Sequence, residues 1–452
     1  MRKIMLFLLA CLVMNAMYAK KNNAKYRIYL TDKEKTTYSL DRPEEFLSER
    51  ALERRRIQGL ALDSTDLPVC EEYIHEIVRK GVRLKVKGKW ENFITVSGKE
   101  KIIKKIAKLP FVRDVEKVWM NTATESTVLE REPIFTEENQ YEHYYGIAED
   151  QIKLNNGDYL HTLGYKGKGV QIAVVDAGFH NLDRIPLLDN LDVLGVKDFV
   201  DPKSNLFLLN SHGLSVLSCI GMNKPNVYVG TAPEASFWLL RSEDEDSEHL
   251  VEQDYWSAAV EFADSVGVDI INSSLGYYAF DDSIKNYTFR DLTGEYALIS
   301  KQASRLADKG IVLVTSAGNS GKGSWKKITP PADAKDVLTV GAVDEQRELA
   351  PFSSIGNTTD GRIKPDIVSF GFSTRVVGEN GVIKTAHGTS FSTPIISGLV
   401  ACLREAFPKL TAKQLIHVVK ESGDRSCFPD NIYGFGIPNF EVAYRLAKEL
   451  EE

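Results

Sequence analysis

The sequence predicts an α/β fold, a doubly wound, mostly parallel sheet of about seven strands preceded by a small α+β unit. From about residue 143 onwards, short apolar runs typical of strands buried on both faces alternate with longer helical segments. Several of these runs end in a polar residue, with a glycine two residues later. Charge also divides the chain: residues 20–130 hold 24 Lys and Arg against 18 Asp and Glu, whereas residues 131–452 hold 30 against 45.

Residues 1–19 are typical of a secretory signal peptide. Met1-Arg2-Lys3 is followed by an apolar run from Ile4 to Met14, and the segment closes on Tyr18-Ala19. The apolar run is too short to span a bilayer, and no other run is long enough to do so. We therefore expect export to the periplasm or the extracellular space, without a transmembrane segment.

Residues 20–120 form the small basic unit. Its pattern predicts a strand at 26–30, helices after Pro43 and around 71–79, a hairpin at 82–96, a helix at 99–109 and a strand at 112–119. The unit lacks the long Lys/Arg run typical of nucleic-acid-binding arms, so nucleic acid is not an expected partner. We expect it to dock onto the acidic remainder of the chain. Polar residues 121–142 are the expected linker, and residues 143–452 are the second domain.

The second domain provides the seven strands of the sheet. They are predicted at 170–175, 191–199, 236–240, 269–272, 311–315, 337–343 and 366–370. The clearest helices between and after them are predicted at 211–221, 250–266, 295–309, 390–407 and 411–421.

Asp176 is the first candidate for chemistry because it ends the apolar run 170–175 and precedes Ala177-Gly178. In an open parallel sheet, ligands bind outside the carboxyl ends of the strands, where Asp176 is expected. Taken alone, an Asp after a strand is often only a turn residue. His212 is the second candidate, since it opens an apolar helix directly after a polar turn.

Ser390 is the third candidate and lies between Gly388-Thr389 and a long apolar helix. Thr389 is expected to cap that helix, and the free N–H groups of its first turn could hold an oxyanion while the Ser390 hydroxyl attacks. Helix capping alone would also explain this pattern. A serine nucleophile needs a base oriented by a third group, so the case depends on His212 and Asp176.

Asn319 ends a fourth block, Ser316-Ala317-Gly318-Asn319, which follows the strand 311–315. Its side-chain amide is a candidate donor to an oxyanion. Asn beside glycine is also common as a left-handed turn residue, which is the alternative interpretation.

Together these blocks run in the order Asp, His, Ser, and the chain resembles the subtilisin-like serine proteases. A fifth block, Ser274-Leu275-Gly276, is similar to the family segment that pairs with substrate and lines the primary specificity pocket. The resemblance implies an Asp176–His212–Ser390 triad, an oxyanion hole with Asn319, and substrate binding by Ser274, Leu275 and Gly276. An α/β-hydrolase is not favoured, because that fold carries G-x-S-x-G and the order Ser, Asp, His.

The chain departs from the family pattern beside each reacting residue. Ala177 replaces the usual Ser or Thr, Leu214-Ser215 replaces a second His, and Phe391-Ser392 replaces Met-Ala. These departures indicate a divergent bacterial branch. The order of elements in 20–120 resembles the family's ferredoxin-like prodomains, which assist folding and inhibit the enzyme; a permanent accessory domain is the alternative.

The resemblance therefore implies a secreted serine endopeptidase that is made as a prepro-enzyme and acts on polypeptides. A catalytically impaired peptide-binding protein is the alternative, and a serine esterase or peptide ligase could use the same machinery. The chemistry requires no cofactor and no metal ligand is assigned; relatives commonly bind structural calcium, but no spacing here identifies a site.

Two further features leave their roles open. The acidic loop 241–248 could favour basic substrate residues or could simply be a solvated helix start. Cys219 and Cys402 lie on apolar helices, so buried free thiols are expected there.

Overall fold

The structure, a computed structural model, describes residues 24–120, 129–131, 133–135 and 139–452. The predicted signal peptide lies outside the described residues, as do parts of the predicted linker.

The N-terminal domain is an antiparallel sheet with helices. Its elements are β1 (Ala24–Leu30), α1 (Glu49–Ile57), α2 (Glu71–Arg79), β2 (Arg83–Gly88), β3 (Phe93–Gly98), α3 (Glu100–Ile106) and β4 (Val112–Trp119). The strand order is β2-β3-β1-β4, and all three pairings are antiparallel. Apolar residues of α2 and α3 pack with those of the sheet in one buried cluster. This arrangement confirms the predicted ferredoxin-like α+β unit.

The second domain contains the predicted seven-stranded sheet. Its strands, with two short hairpins, are β5 (Gln171–Asp176), β6 (Asp192–Asp198), β7 (Asn223–Lys224), β8 (Tyr228–Val229), β9 (Ser236–Arg241), β10 (Ile270–Ser273), β11 (Val312–Ser316), β12 (Leu338–Val343), β13 (Ile367–Phe370), β14 (Thr374–Val377) and β15 (Ile383–Ala386). The seven strands are ordered β13-β12-β11-β10-β5-β9-β6 and are all parallel. Each lies within one residue of its predicted bounds.

The helices of the second domain cover both faces of this sheet. They are α4 (Glu149–Lys153), α5 (Asp158–Thr162), α6 (His212–Gly221), α7 (Val251–Val266), α8 (Leu298–Arg305), α9 (Thr389–Ala406), α10 (Ala412–Glu421) and α11 (Phe440–Glu451). One buried cluster holds α6, α9 and α10, and another holds α7 and α8. Helix α8 is shorter than predicted, because its last residues form a 3-10 turn that ends at Gly310 with φ 84°.

The N-terminal domain docks on the α7 face of the sheet. Its Trp90, Phe93 and Val118 belong to the same buried cluster as α7. The interface is also charged, as the division of charge along the sequence predicted. Arg27 donates from Nε to Asp254 Oδ1 over 2.6 Å.

Helix α1 contacts the second domain at the end of the sheet where β10 and β11 begin. Arg54 donates to Val268 O over 2.6 Å and to Lys309 O over 3.2 Å, just before β10 and β11 begin. Arg54 and Arg55 both bind Asp264, which is fully buried. The N-terminal domain therefore binds the seven-stranded sheet at the amino ends of β10 and β11, opposite to the carboxyl ends where Asp176 lies.

The cysteines agree with the sequence-based expectation. Cys219 and Cys402 are buried free thiols, Cys70 is also buried and free, and Cys427 is exposed.

Candidate active site

Asp176 ends β5 at the carboxyl edge of the sheet and is fully buried. Its Oδ1 accepts hydrogen bonds from Ala177 N and from His212 Nδ1, both over 2.8 Å. Its Oδ2 is buried and has no hydrogen-bond partner among the described residues. The carboxylate is thus aimed at His212, but the alanine at position 177 offers it no side-chain donor.

His212 is the first residue of α6, and its side chain is about one-third exposed. Its backbone N–H donates to Asn210 Oδ1, which holds the turn before the helix. Burial acts to lower the pKa of His212, but the Asp176 charge and hydrogen bond oppose it, and the net effect raises the pKa above its usual 6.5. Since Nδ1 is bound to Asp176, Nε2 is the nitrogen left to exchange a proton with a substrate.

Ser390 lies in the first turn of α9, where backbone N–H groups have no intrahelical acceptor. The prediction that Thr389 caps this helix is wrong, because Gly388 is the cap and Thr389 is the first helical residue. Gly388 has φ 157° and ψ 152°, a conformation open essentially to glycine alone. The helix therefore starts one residue earlier than a Thr cap would allow.

Thr389 instead connects the Ser390 block to Asn319. Asn319 Oδ1 accepts from Thr389 N over 2.9 Å and from the Thr389 hydroxyl over 3.0 Å, while Gly318 N donates to that hydroxyl over 3.2 Å. Asn319 Oδ1 is thus occupied, whereas Nδ2 has no hydrogen-bond acceptor among the described residues. Nδ2 lies next to Gly388, 3.6 Å from where a Cβ would be at that position.

Ser274, which directly follows β10, forms two hydrogen bonds with Ser390. The Ser274 hydroxyl donates to Ser390 O over 3.0 Å, and Ser390 Oγ donates weakly to Ser274 O over 3.4 Å. In the described structure, Ser390 Oγ makes this bond rather than the one to His212 that a serine triad needs. The His212 ring lies against the ring of the next residue, Phe391, with 5.8 Å between centroids.

Leu275 and Gly276 continue the segment from Ser274. Leu275 is buried and Gly276 is exposed. A Cβ at Gly276 would come within 2.2 Å of Thr329 Oγ1, so this close approach requires glycine. The three residues thus form one continuous segment that starts beside Ser390.

The acidic loop after β9 differs from a solvated helix start. Glu243, Glu248 and Glu252 bring carboxylate oxygens within 4.8 Å of one another, and Glu252 is fully buried. Burial and the charges of Glu243 and Asp281 raise the pKa of Glu248 to about 8. Glu252 was not predicted from the sequence as part of this loop, because it belongs to α7; the available signal was an acid four residues after Glu248, at the start of a helix.

Two family models match this chain. The model described as the subtilase family matches residues 167–436, which include Asp176, His212 and Ser390. The chain belongs to the subtilase family. The model of the peptidase S8 propeptide domain of Bacteroidota matches residues 25–132, which cover the N-terminal domain from Lys25 onwards. The protein is a subtilisin-like serine endopeptidase with an N-terminal propeptide domain, as the sequence predicted.

Curated subtilases from bacilli are similar over most of their length. Subtilisin NAT of Bacillus subtilis subsp. natto is 28% identical over 370 residues, which are 81% of this chain and 84% of that protein. Subtilisin DY of Bacillus licheniformis is 28% identical over 298 residues, 65% of this chain and 97% of that protein. Subtilisin Savinase of Lederbergia lenta is 26% identical over 286 residues, 63% and 94% of the two chains. Across the described residues, no helix has the length and apolarity needed to cross a membrane.

Proposed function

We propose that this subtilase is made as an exported prepro-enzyme and cleaves polypeptides with Asp176, His212 and Ser390. In this proposal, residues 1–19 direct export to the periplasm or the extracellular space. Residues 20–120 act as the prodomain, and the linker 121–142 contains the processing site. Residues 143–452 are the catalytic domain.

The observation that carries the proposal is the 2.8 Å hydrogen bond from His212 Nδ1 to the buried Asp176. This bond fixes the tautomer in which Nε2 is free to take the proton of Ser390 as its Oγ attacks the peptide carbonyl. His212 then returns the proton to the leaving amine. Because the bond from Ser390 Oγ to Ser274 O is long, turning Oγ towards His212 costs little.

The oxyanion is held by two donors in this proposal, the Ser390 N–H and Asn319 Nδ2. The bonds from Thr389 to Asn319 Oδ1 orient the amide before substrate arrives, so no reorganisation is needed in the transition state. Removing a donor of this kind costs about 2.7 to 4 kcal/mol of transition-state stabilisation, a magnitude known from subtilisin itself. Ser274, Leu275 and Gly276 supply the wall along which the substrate backbone lies.

A fluorophosphonate probe tests the nucleophile. The processed protein is expected to be labelled stoichiometrically at Ser390, as read by mass spectrometry. Labelling should disappear in Ser390→Ala and persist in Ser392→Ala, a matched change of a nearby serine whose hydroxyl bonds Thr389 O.

Absence of labelling in folded protein freed of its N-terminal domain would favour the peptide-binding alternative. Two observations support that alternative. Asp176 Oδ2 has no hydrogen-bond partner among the described residues, and Ser390 Oγ donates to Ser274 O instead of to His212.

The pH profile of kcat/KM tests the base. His212 must be neutral to accept a proton, so activity should fall as the pH drops through its raised pKa, above about 6.5. A rate that stays flat down to about pH 4 would remove His212 from this role.

A further inference from the structure

The acidic cluster beside the active site contains three carboxyl groups that converge. Glu243 and Glu248 belong to the loop after β9, and Glu252 belongs to the first turn of α7. One oxygen from each lies within 4.8 Å of the others. Calcium–oxygen distances in proteins are about 2.3 to 2.6 Å, so three oxygens this close can share one ion.

Glu252 provides the second observation, because its side chain is fully buried yet only half satisfied. Its Oε1 accepts from His249 N over 2.8 Å, whereas Oε2 is buried and has no hydrogen-bond partner among the described residues. A buried carboxylate oxygen without a donor is costly, and a bound cation would remove that cost.

The donors that reach the cluster carry no positive charge. Among the described residues, Glu243 accepts from the Tyr277 hydroxyl and Glu252 from the His249 backbone. Like charges this close disfavour one another's ionisation unless a cation lies between them. Lys25 acts on Glu252 through its charge, but its Nζ donates to the Tyr255 hydroxyl. Among the described residues, therefore, no cation is hydrogen-bonded to the cluster.

We infer that Glu243, Glu248 and Glu252 form a Ca²⁺ site between the loop after β9 and the start of α7. The donor set consists of carboxylate oxygens, without His or Cys, which suits a hard cation. Ca²⁺ tolerates the irregular geometry of a loop and a helix start better than Mg²⁺, which demands a near-octahedral shell.

The position gives such an ion a structural role next to the substrate. Strand β9 pairs with β5 so that Arg241 lies beside Asp176, and Glu243 follows two residues later. An ion that joins this loop to α7 would fix one wall of the cleft without contacting the reacting atoms.

Calcium titration of the full-length Ser390→Ala protein tests the site, since this background prevents self-cleavage. After EDTA treatment and desalting, CaCl₂ is added in a calorimeter. Glu252→Gln and Glu248→Gln should each bind one Ca²⁺ fewer than the parent. Glu245→Gln, which removes the same charge from an exposed position in the same loop, should bind as many as the parent.

Equal stoichiometry and affinity in all four proteins would overturn the inference. Circular dichroism establishes that each variant is folded, and Glu248→Gln serves if Glu252→Gln is not, because Glu248 is only partly buried. Terbium luminescence adds a local readout. Tyr277 should sensitise the emission of Tb³⁺ bound at this site, and Tyr277→Phe should weaken that emission. Unchanged calcium binding, together with poorer cleavage of substrates carrying Arg or Lys before the scissile bond when the same glutamate changes are made with Ser390 intact, would assign the cluster to a cationic side chain instead.

Discussion

Four buried acids on helix α7 have very different surroundings. Glu252, Asp254, Glu261 and Asp264 all lie within one helix of sixteen residues, and none is more than 5% exposed. The N-terminal domain supplies hydrogen-bond partners to the last three, whereas Glu252 is hydrogen-bonded to no residue of that domain among the described residues.

The three partnered acids show how the domains fit together. Asp254 binds Arg27, and Glu261 accepts from the N–H groups of Lys89 and Trp90. Burial acts to raise the pKa of Asp264, but Lys89, Arg55 and Arg54 outweigh it and hold the pKa well below its usual range.

Helix α7 therefore depends on the N-terminal domain for the hydrogen-bond and ion-pair partners of three of its buried acids. Without the N-terminal domain, three carboxylates of this helix would lose their counter-charges or donors. A parallel sheet also closes many non-local contacts and folds slowly. Both facts give a physical basis for a prodomain that assists folding.

The largest effect is expected at Asp264. Asp264→Asn removes the charge that Arg54, Arg55 and Lys89 share, and leaves buried Arg54 without an ion-pair partner among the described residues, whereas Arg55 keeps Asp66. We expect a loss of about 3 to 5 kcal/mol in the free energy of unfolding. Urea denaturation of the full-length Ser390→Ala protein measures it. A loss below about 1 kcal/mol would mean that the partners relax into solvent.

Variants of Arg27 and Asp254 test whether stability requires this buried ion pair, or only that neither charge is left without its partner. Arg27→Met leaves buried Asp254 without its cation and should cost about 3 kcal/mol. The double variant Arg27→Met, Asp254→Leu should regain most of that loss, because well-packed apolar residues often replace a buried ion pair without penalty. A double variant as unstable as the single one would show that the charges themselves are required.

Glu252→Gln should behave in the opposite way to Asp264→Asn. In EDTA, removing an uncompensated buried charge should raise the free energy of unfolding by about 1 to 2 kcal/mol. In excess Ca²⁺ the same change should lower stability relative to the parent, since binding stabilises the folded state by mass action. Urea denaturation in both buffers measures the reversal. The same sign in both buffers would contradict a calcium site.

Exposed ion pairs should have the smallest effect on the free energy of unfolding. Lys413 binds Asp308 over 2.8 Å and Asp336 over 3.1 Å, and about half of each side chain is exposed. Lys413→Ala should therefore cost less than about 1 kcal/mol in the same denaturation assay. A cost comparable with that at Asp264 would mean that burial does not set the size of these effects.

Much of the fold could be predicted from periodicity. Six of the seven strands of the parallel sheet are largely buried and appear as short apolar runs, whereas the edge strand β6 is mostly exposed. The bounds of all seven were predicted within one residue. The start of α9 was not predicted correctly. A Thr before an apolar helix is a good cap, but the backbone at Gly388 and the bonds to Asn319 shift the cap by one residue.

The sequence by itself determined the family, the two domains and the candidate residues. These depend on residue types in a fixed order and on local periodicity, both of which a linear chain displays. Only the tertiary structure decided which charges meet. Asp176 contacts His212 across 36 residues, and Arg55 contacts Asp264 across 209. The three glutamates converge because a loop folds back onto a helix start. Long-range contacts of this kind depend on how the sheet, helices and domains pack, which no local pattern encodes.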